Sequence, residues 1–154
     1  MSLQITYDLV GTGWCRCTVT LGELQAVITG SYLCDCLAGL AAAAVEMAEG
    51  ATSSRFSFDE EPGEYRWIVE RDGDRLRLRI IEFEELWGNQ DDAAGKVLID
   101  SRCSVIEFSV AVRDTLDRVL AKHGAAGYKE KWVEHEFPED LRCMLADALR
   151  KMGA

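Results

Sequence analysis

The stretch from Phe56 to Phe83 restricts this chain more than any other, because three alternating runs meet there across two turns whose residue types limit how the runs pair. Arg71-Asp72-Gly73-Asp74 carries the Asp-Gly pair suited to a two-residue type I′ loop, whose central residues both take positive φ. Pairing Arg71 with Asp74 puts Val69 opposite Leu76, Trp67 opposite Leu78 and Tyr65 opposite Ile80. Glu61-Pro62-Gly63-Glu64 reads as a type II turn, with proline at the first central position and glycine at the second. Pairing Glu61 with Glu64 puts Phe58 opposite Trp67 and Phe56 opposite Val69. A one-residue slip in either hairpin would turn its apolar set toward water, so the agreement of the two turns argues for one shared apolar face. Phe56, Phe58, Tyr65, Trp67, Val69, Leu76, Leu78 and Ile80 make up that face, which helices or a second sheet must cover.

The opposite face carries Arg55 near Glu70 and a row of Asp59, Arg66 and Arg79, read as a solvated ion-pair lattice. In this register Arg66 and Arg79 oppose each other directly, which calls for a bridging acid. Ile81 and Phe83 break the alternation that runs from Leu76 to Ile80 and predict a bulge, or a strand covered on both faces near its end.

Before the meander, Leu3, Ile5, Tyr7 and Leu9 alternate with polar neighbours, Gly11-Thr12-Gly13 interrupts, and Cys15, Cys17, Val19 and Leu21 alternate again. This is a second hairpin, and Leu24 to Ile28 is read as a third strand. Ser31 is placed to cap a helix with Leu33, Leu37, Leu40, Ala44 and Met47 on one side and Gly50 at its end. The alanine-rich middle of that helix lets it lie close on the aromatic face. After the meander, Val97 to Ile99 suggests one more strand. Ser104-Val105-Ile106-Glu107 reads as a capping box opening a helix that turns Val105, Phe108, Val112, Leu116, Val119 and Leu120 inward and stops near Gly124. Pro138 fits the first turn of a last helix whose stripe is Leu141, Met144, Leu145, Ala148, Leu149 and Met152, and Tyr128, Trp132 and Phe137 strap that helix to the body. The whole chain, 1–154, is thus expected to be a single α+β domain, with a mostly antiparallel curved sheet and about three helices packed mainly on one face.

Composition narrows the functional classes. A formal charge of −10 disfavours nucleic acid, whose phosphates require a basic surface, and disfavours anionic membranes as well. Met1 to Val10 lacks the basic start and apolar core of a signal peptide, and no run reaches the roughly 18 apolar residues of a membrane helix, so a cytoplasmic location is expected. Six cysteines stand at 15, 17, 34, 36, 103 and 143. A single-residue spacer suits zinc poorly, and Cys34 and Cys36 on a helix would point about 200° apart, so buried reduced thiols are expected and no metal is assigned. With two histidines, His123 and His135, and no nucleophile elbow, phosphate loop or dinucleotide fingerprint, neither a catalytic residue nor a cofactor is assigned.

Acidic residues cluster around the proline turn, after the meander and before the last helix. Such clusters speed association with a basic partner. The loop following the meander also contains Trp87, which either ends the strand in the core or, if exposed, is a side chain type that anchors interfaces. The candidate partner-binding residues are Asp59, Glu60, Glu61, Glu84, Glu85, Trp87, Asp91 and Asp92.

The stretch Glu61-Pro62-Gly63-Glu64-Tyr65-Arg66-Trp67, with Tyr128, Trp132 and Phe137-Pro138, resembles a group of uncharacterised bacterial single-domain proteins, a likeness that implies no activity. In size, acidity and α+β layout the chain is similar to immunity proteins of bacterial toxin systems, which bind and neutralise a toxin domain. That resemblance implies a non-enzymatic acidic module engaging a basic protein. A small enzyme or ligand-binding protein with a pocket between sheet and helices is the alternative, and a homodimer is the third reading.

Overall fold

Both turn signals mark real hairpins, and both hairpins pair two residues away from the register that the turn types suggested. In the computed structural model, which describes residues 2–85 and 90–154, Ser53–Asp59 (β4), Glu64–Asp72 (β5) and Arg75–Phe83 (β6) are joined by Lys96–Ser104 (β7) in an antiparallel sheet of order β4-β5-β6-β7. Asp72 pairs with Arg75, leaving Gly73 and Asp74 as the loop, and only Gly73 takes a positive φ, of 67°. That is the glycine-first pattern of a type II′ turn, which suits the twist of the strands as well as type I′ does and sets opposite charges across the last pair. Around Pro62 the loop runs from Glu60 to Gly63, with the Glu60 amide donating to the Gly63 carbonyl at 2.8 Å and a cis Glu61–Pro62 bond. Gly63 is not in the positive-φ region. Its need is room: a Cβ there would lie 2.3 Å from the Phe83 carbonyl oxygen.

Because each partner moves by two residues, the faces survive. Val69 lies opposite Leu78, Trp67 opposite Ile80 and Phe56 opposite Trp67, and all eight apolar side chains share one side of the sheet. Phe56 stacks on Trp67 with ring centroids 5.1 Å apart. The polar face changes more. Arg66 now lies opposite Ile81 and Arg79 opposite Ile68, so the two arginines do not oppose each other, and Arg79 pairs with Glu70 at 2.6 Å. The break at Ile81 has both expected consequences: the β6–β7 pairing slips between Ile80 and Ile81, and Ile68, Ile81 and Phe83 form a small buried cluster on the outer face. Gly95 closes over it, since a Cβ at that position would sit 2.4 Å from Ile81 Cγ2 and 2.8 Å from Phe83 Cζ.

Leu3–Val10 (β1), Trp14–Leu21 (β2) and Leu24–Ser31 (β3) form the other sheet, in order β1-β2-β3. The chain is therefore α+β as read, and its described residues place seven strands in two antiparallel sheets. Leu3, Ile5, Tyr7, Cys15, Cys17, Val19, Leu21, Ala26 and Ile28 are buried in the same core as the aromatic face of the second sheet.

The first helix, Cys36–Ala48 (α1), begins later than Ser31. Asp35 is its N-cap, accepting from the Ala38 amide at 3.4 Å, because Ser31 still belongs to β3 and donates its hydroxyl to the Asp59 carbonyl at 3.0 Å. Leu37, Leu40, Ala44 and Met47 are buried as expected, whereas Leu33 lies outside the helix. Gly39 presses on Phe56, which brings α1 against the aromatic face. The Ser104 capping box is present in both directions, with contacts of 3.0 and 3.1 Å, and opens Val105–Trp132 (α2). Gly124, at φ 68°, breaks α2 where the sequence reading ended it, but the chain resumes helix and buries Tyr128 and Trp132. Phe137 packs edge-on against Tyr128 at 5.6 Å and ties Glu139–Lys151 (α3) to α2. Pro138 takes the N-cap of α3, one position ahead of its first turn. Among the described residues, no helix is long and apolar enough to cross a membrane.

Candidate functional site

The acids named from the sequence separate into two groups. Asp92 lies over the outer face of the second sheet, where both nitrogens of Arg55 grip its carboxylate at 2.7 and 2.9 Å and Arg66 adds a bond of 2.8 Å. The Arg55 hydrogen bonds first, and those of Arg66 next, hold the Asp92 carboxyl well below the usual carboxylate range. Arg66 also reaches Glu64 at 3.1 Å and sits 4.1 Å from the centre of the Phe83 ring. Asp91 points its carboxylate at the Ala93 amide, 3.4 Å away. These two acids serve the β6–β7 connection.

The second group gathers at one end of the same sheet. The close passage of Gly63 over the carbonyls of Phe83 and Glu84 sets the proline turn beside the end of β6, and so brings Glu60 and Glu61 toward Glu82, Glu84 and Glu85. Burial and the charge of Glu82 push the Glu60 carboxyl above the ordinary glutamate range. Burial, then Glu60 and Glu82, raise the Tyr65 phenol. Among the described residues, Glu60, Glu61, Glu84 and Glu85 make no ion pair. Asp59 accepts from the Ser57 hydroxyl at 2.9 Å, and its backbone is held by Ser31 and Cys34. Trp87 lies outside the described residues.

Three apolar side chains that the sequence reading did not select adjoin this end. Trp14, Tyr32 and Leu33 are 40%, 39% and 36% exposed. Trp14 pairs with Ser31, whose hydroxyl holds Asp59, and the Tyr32 amide donates to Gly13 at 2.9 Å. His135 Nε2 meets the Tyr32 carbonyl at 3.1 Å. The signal for Trp14 was present: it stands out of phase with Cys15, Cys17 and Val19, so the alternation that buries those residues turns the indole outward.

Behind this edge lies a group of thiols. Cys34 precedes α1 instead of lying within it, so the angular argument that separated it from Cys36 does not apply, and the two sulfurs stand 3.3 Å apart. The Asp59 amide donates to the Cys34 sulfur at 3.2 Å. Gly30 leaves the space that Cys36 and Cys15 fill, since a Cβ there would be 2.5 and 3.2 Å from their sulfurs. Burial, then hydrogen bonds toward Cys15 and Cys34, raise the Cys36 thiol well above its usual range. Cys15, which accepts from Cys36, is lowered despite its burial. The remaining cysteines stand apart: burial raises Cys17 and pushes Cys103 up to about 11, and Cys143 is exposed beside Glu139. Among the described residues, no set of three or more histidine, cysteine or acidic side chains is arranged to hold a metal ion.

His135 faces Asp35 at 3.7 Å, and Asp35 is raised by burial against the opposing effects of His135 and the Ala38 amide. Two surface grooves of about 630 and 590 Å³ lie, respectively, between the ends of α1 and α2's first turn and beside the α2–α3 connection, and neither histidine lines them. Comparisons with protein families, with curated proteins and with solved structures return no match.

Proposed function

We propose that the chain is a non-enzymatic acidic protein-binding module of the immunity type, which engages a basic partner through the end of the molecule formed by the Asp59–Glu61 turn, Glu84 and Glu85, with Trp14, Tyr32 and Leu33 alongside. The observation that carries this reading is the adjacency of acids without internal ion pairs to exposed aromatic and aliphatic side chains. Acids of one sign raise the rate of encounter with a basic surface. Large side chains that lose water on contact then slow dissociation, which is the division of labour in interfaces with a few energetic anchors and a charged rim. The module works in the cytoplasm in this reading, where its six cysteines meet a reducing environment.

The test is capture from the native host with wild type and two variants, the triple reversal Glu60→Lys, Glu61→Lys, Glu84→Lys and the single change Trp14→Ala, at low and high salt. Wild type retains a basic protein at low salt, the reversal lowers its association rate by roughly tenfold or more, and Trp14→Ala speeds its release. Absence of any salt-sensitive partner, or equal binding by the reversed variant, rejects the proposal.

A further inference from the structure

We propose that Cys34 and Cys36 form a reversible dithiol–disulfide pair, oxidised by a low-molecular-weight disulfide. Three observations support it independently of the partner reading. The sulfurs are 3.3 Å apart, already in contact and needing to close to about 2.05 Å to bond. Their access is graded: Cys34 is half-buried at the edge of the molecule, while Cys36 is fully buried behind it. Cys34 lies ahead of the Asp35 cap, so the helix hydrogen-bond ladder does not fix its backbone. No other cysteine combines access with a neighbouring sulfur: Cys15, though beside Cys36, is buried, as are Cys17 and Cys103, and exposed Cys143 bonds to a carboxylate.

The order of access sets the order of steps. Cys34 loses its proton to solvent and attacks one sulfur of the small disulfide RSSR. The Cys34–SR bond forms as the RS–SR bond breaks, and one RS⁻ departs with the electron pair and takes up a proton. Cys36 then loses its proton and attacks the Cys34 sulfur, forming the Cys34–Cys36 bond and expelling the second RS⁻, which is protonated in turn. Two protein thiols are oxidised and one small disulfide is reduced to two thiols. Because burial raises the Cys36 thiol, the second step quickens as pH rises.

The experiment exposes the folded protein to graded ratios of oxidised to reduced glutathione, quenches with acid, alkylates the free thiols and maps them by fragmentation mass spectrometry. The expected result is loss of two of the six alkylated thiols, with the bond between positions 34 and 36, a mass lower by two hydrogens, and full return on reduction. Cys36→Ala is expected to stop at a lasting glutathione adduct on Cys34, and Cys34→Ser to leave Cys36 reduced. Wild type decides the matter if either variant fails to fold. The proposal is overturned if both thiols stay alkylatable across the series, if wild type keeps a stable glutathione adduct, or if the bond joins any other pair of cysteines.

Discussion

Asp92 and Glu60 belong to the same acidic surface by composition, yet the fold treats them in opposite ways. Asp92 is drawn onto the outer face of the four-stranded sheet, held by Arg55 and Arg66, and its carboxyl is pulled down. Glu60 sits at the end of that sheet beside Glu82, and its carboxyl is pushed up. A lowered carboxyl marks an acid whose charge stabilises the fold, while a raised one marks an acid whose charge the fold bears at a cost. The contrast separates an acid held by Arg55 and Arg66 from an acid that burial and a like charge oppose. Net charge alone cannot make that separation.

The clearest way to break the comparison is to loosen the connection itself. Gly95→Ala puts a methyl group against Ile81, Phe83 and the Glu82 carbonyl, and is expected to destabilise by about 1–3 kcal/mol in urea unfolding. Wild-type stability would mean that the connection yields freely and does not cover the outer cluster. Asp92→Ala comes next, at about 1–2 kcal/mol, because half-exposed Arg55 contributes little while Arg66, with its side chain 13% exposed, keeps only Glu64 as an ionic partner. Neither change should alter partner binding. A loss of binding as large as that from reversing Glu60, Glu61 and Glu84 would show that the two groups of acids are one.

Acid sharpens the same point. A carboxyl lowered in the folded state contributes stability that is full above its unfolded value, near pH 4, and that is lost as pH falls below this toward the folded value. The stability gap between wild type and Asp92→Asn should therefore be constant near neutrality and narrow between about pH 4 and pH 2. A gap that does not change with acid would show that the Arg55 and Arg66 contacts carry no linkage.

How far the fold could be read in advance depended on what each residue was asked to decide. Parity along a strand was legible because a single error in it exposes Trp67 or Leu78 to water, at a cost no turn could offset. Register was not, because a shift of two residues preserves parity and was decided by local matters: Gly73 taking the first loop position, and Gly63 clearing the Phe83 carbonyl. The division of seven strands into two sheets was equally hidden, since alternation says which side of a strand is buried and not which strand lies next to it. The acids of the site were legible as a composition bias, but the role of Asp92 depended on Arg55 and Arg66, distant in sequence. Cys34 was misplaced by a helix start only a few residues too early.

The smallest effect is also the most telling one. Glu60→Gln removes a charge that burial and Glu82 oppose, and should stabilise the protein by about 0.5 kcal/mol or less at neutral pH. The sign follows from the raised carboxyl: its cost is present above the folded value and disappears as pH falls below the ordinary glutamate value, so the advantage of glutamine should vanish near pH 4. If the same substitution also weakens capture of the basic partner, then Glu60 is retained against the stability of the fold, and the charge has a use that lies outside it. Should Glu60→Gln stabilise the chain and leave binding unchanged, the acidic end would be solvated surface, and the anchoring would rest on Trp14, Tyr32 and Leu33 alone.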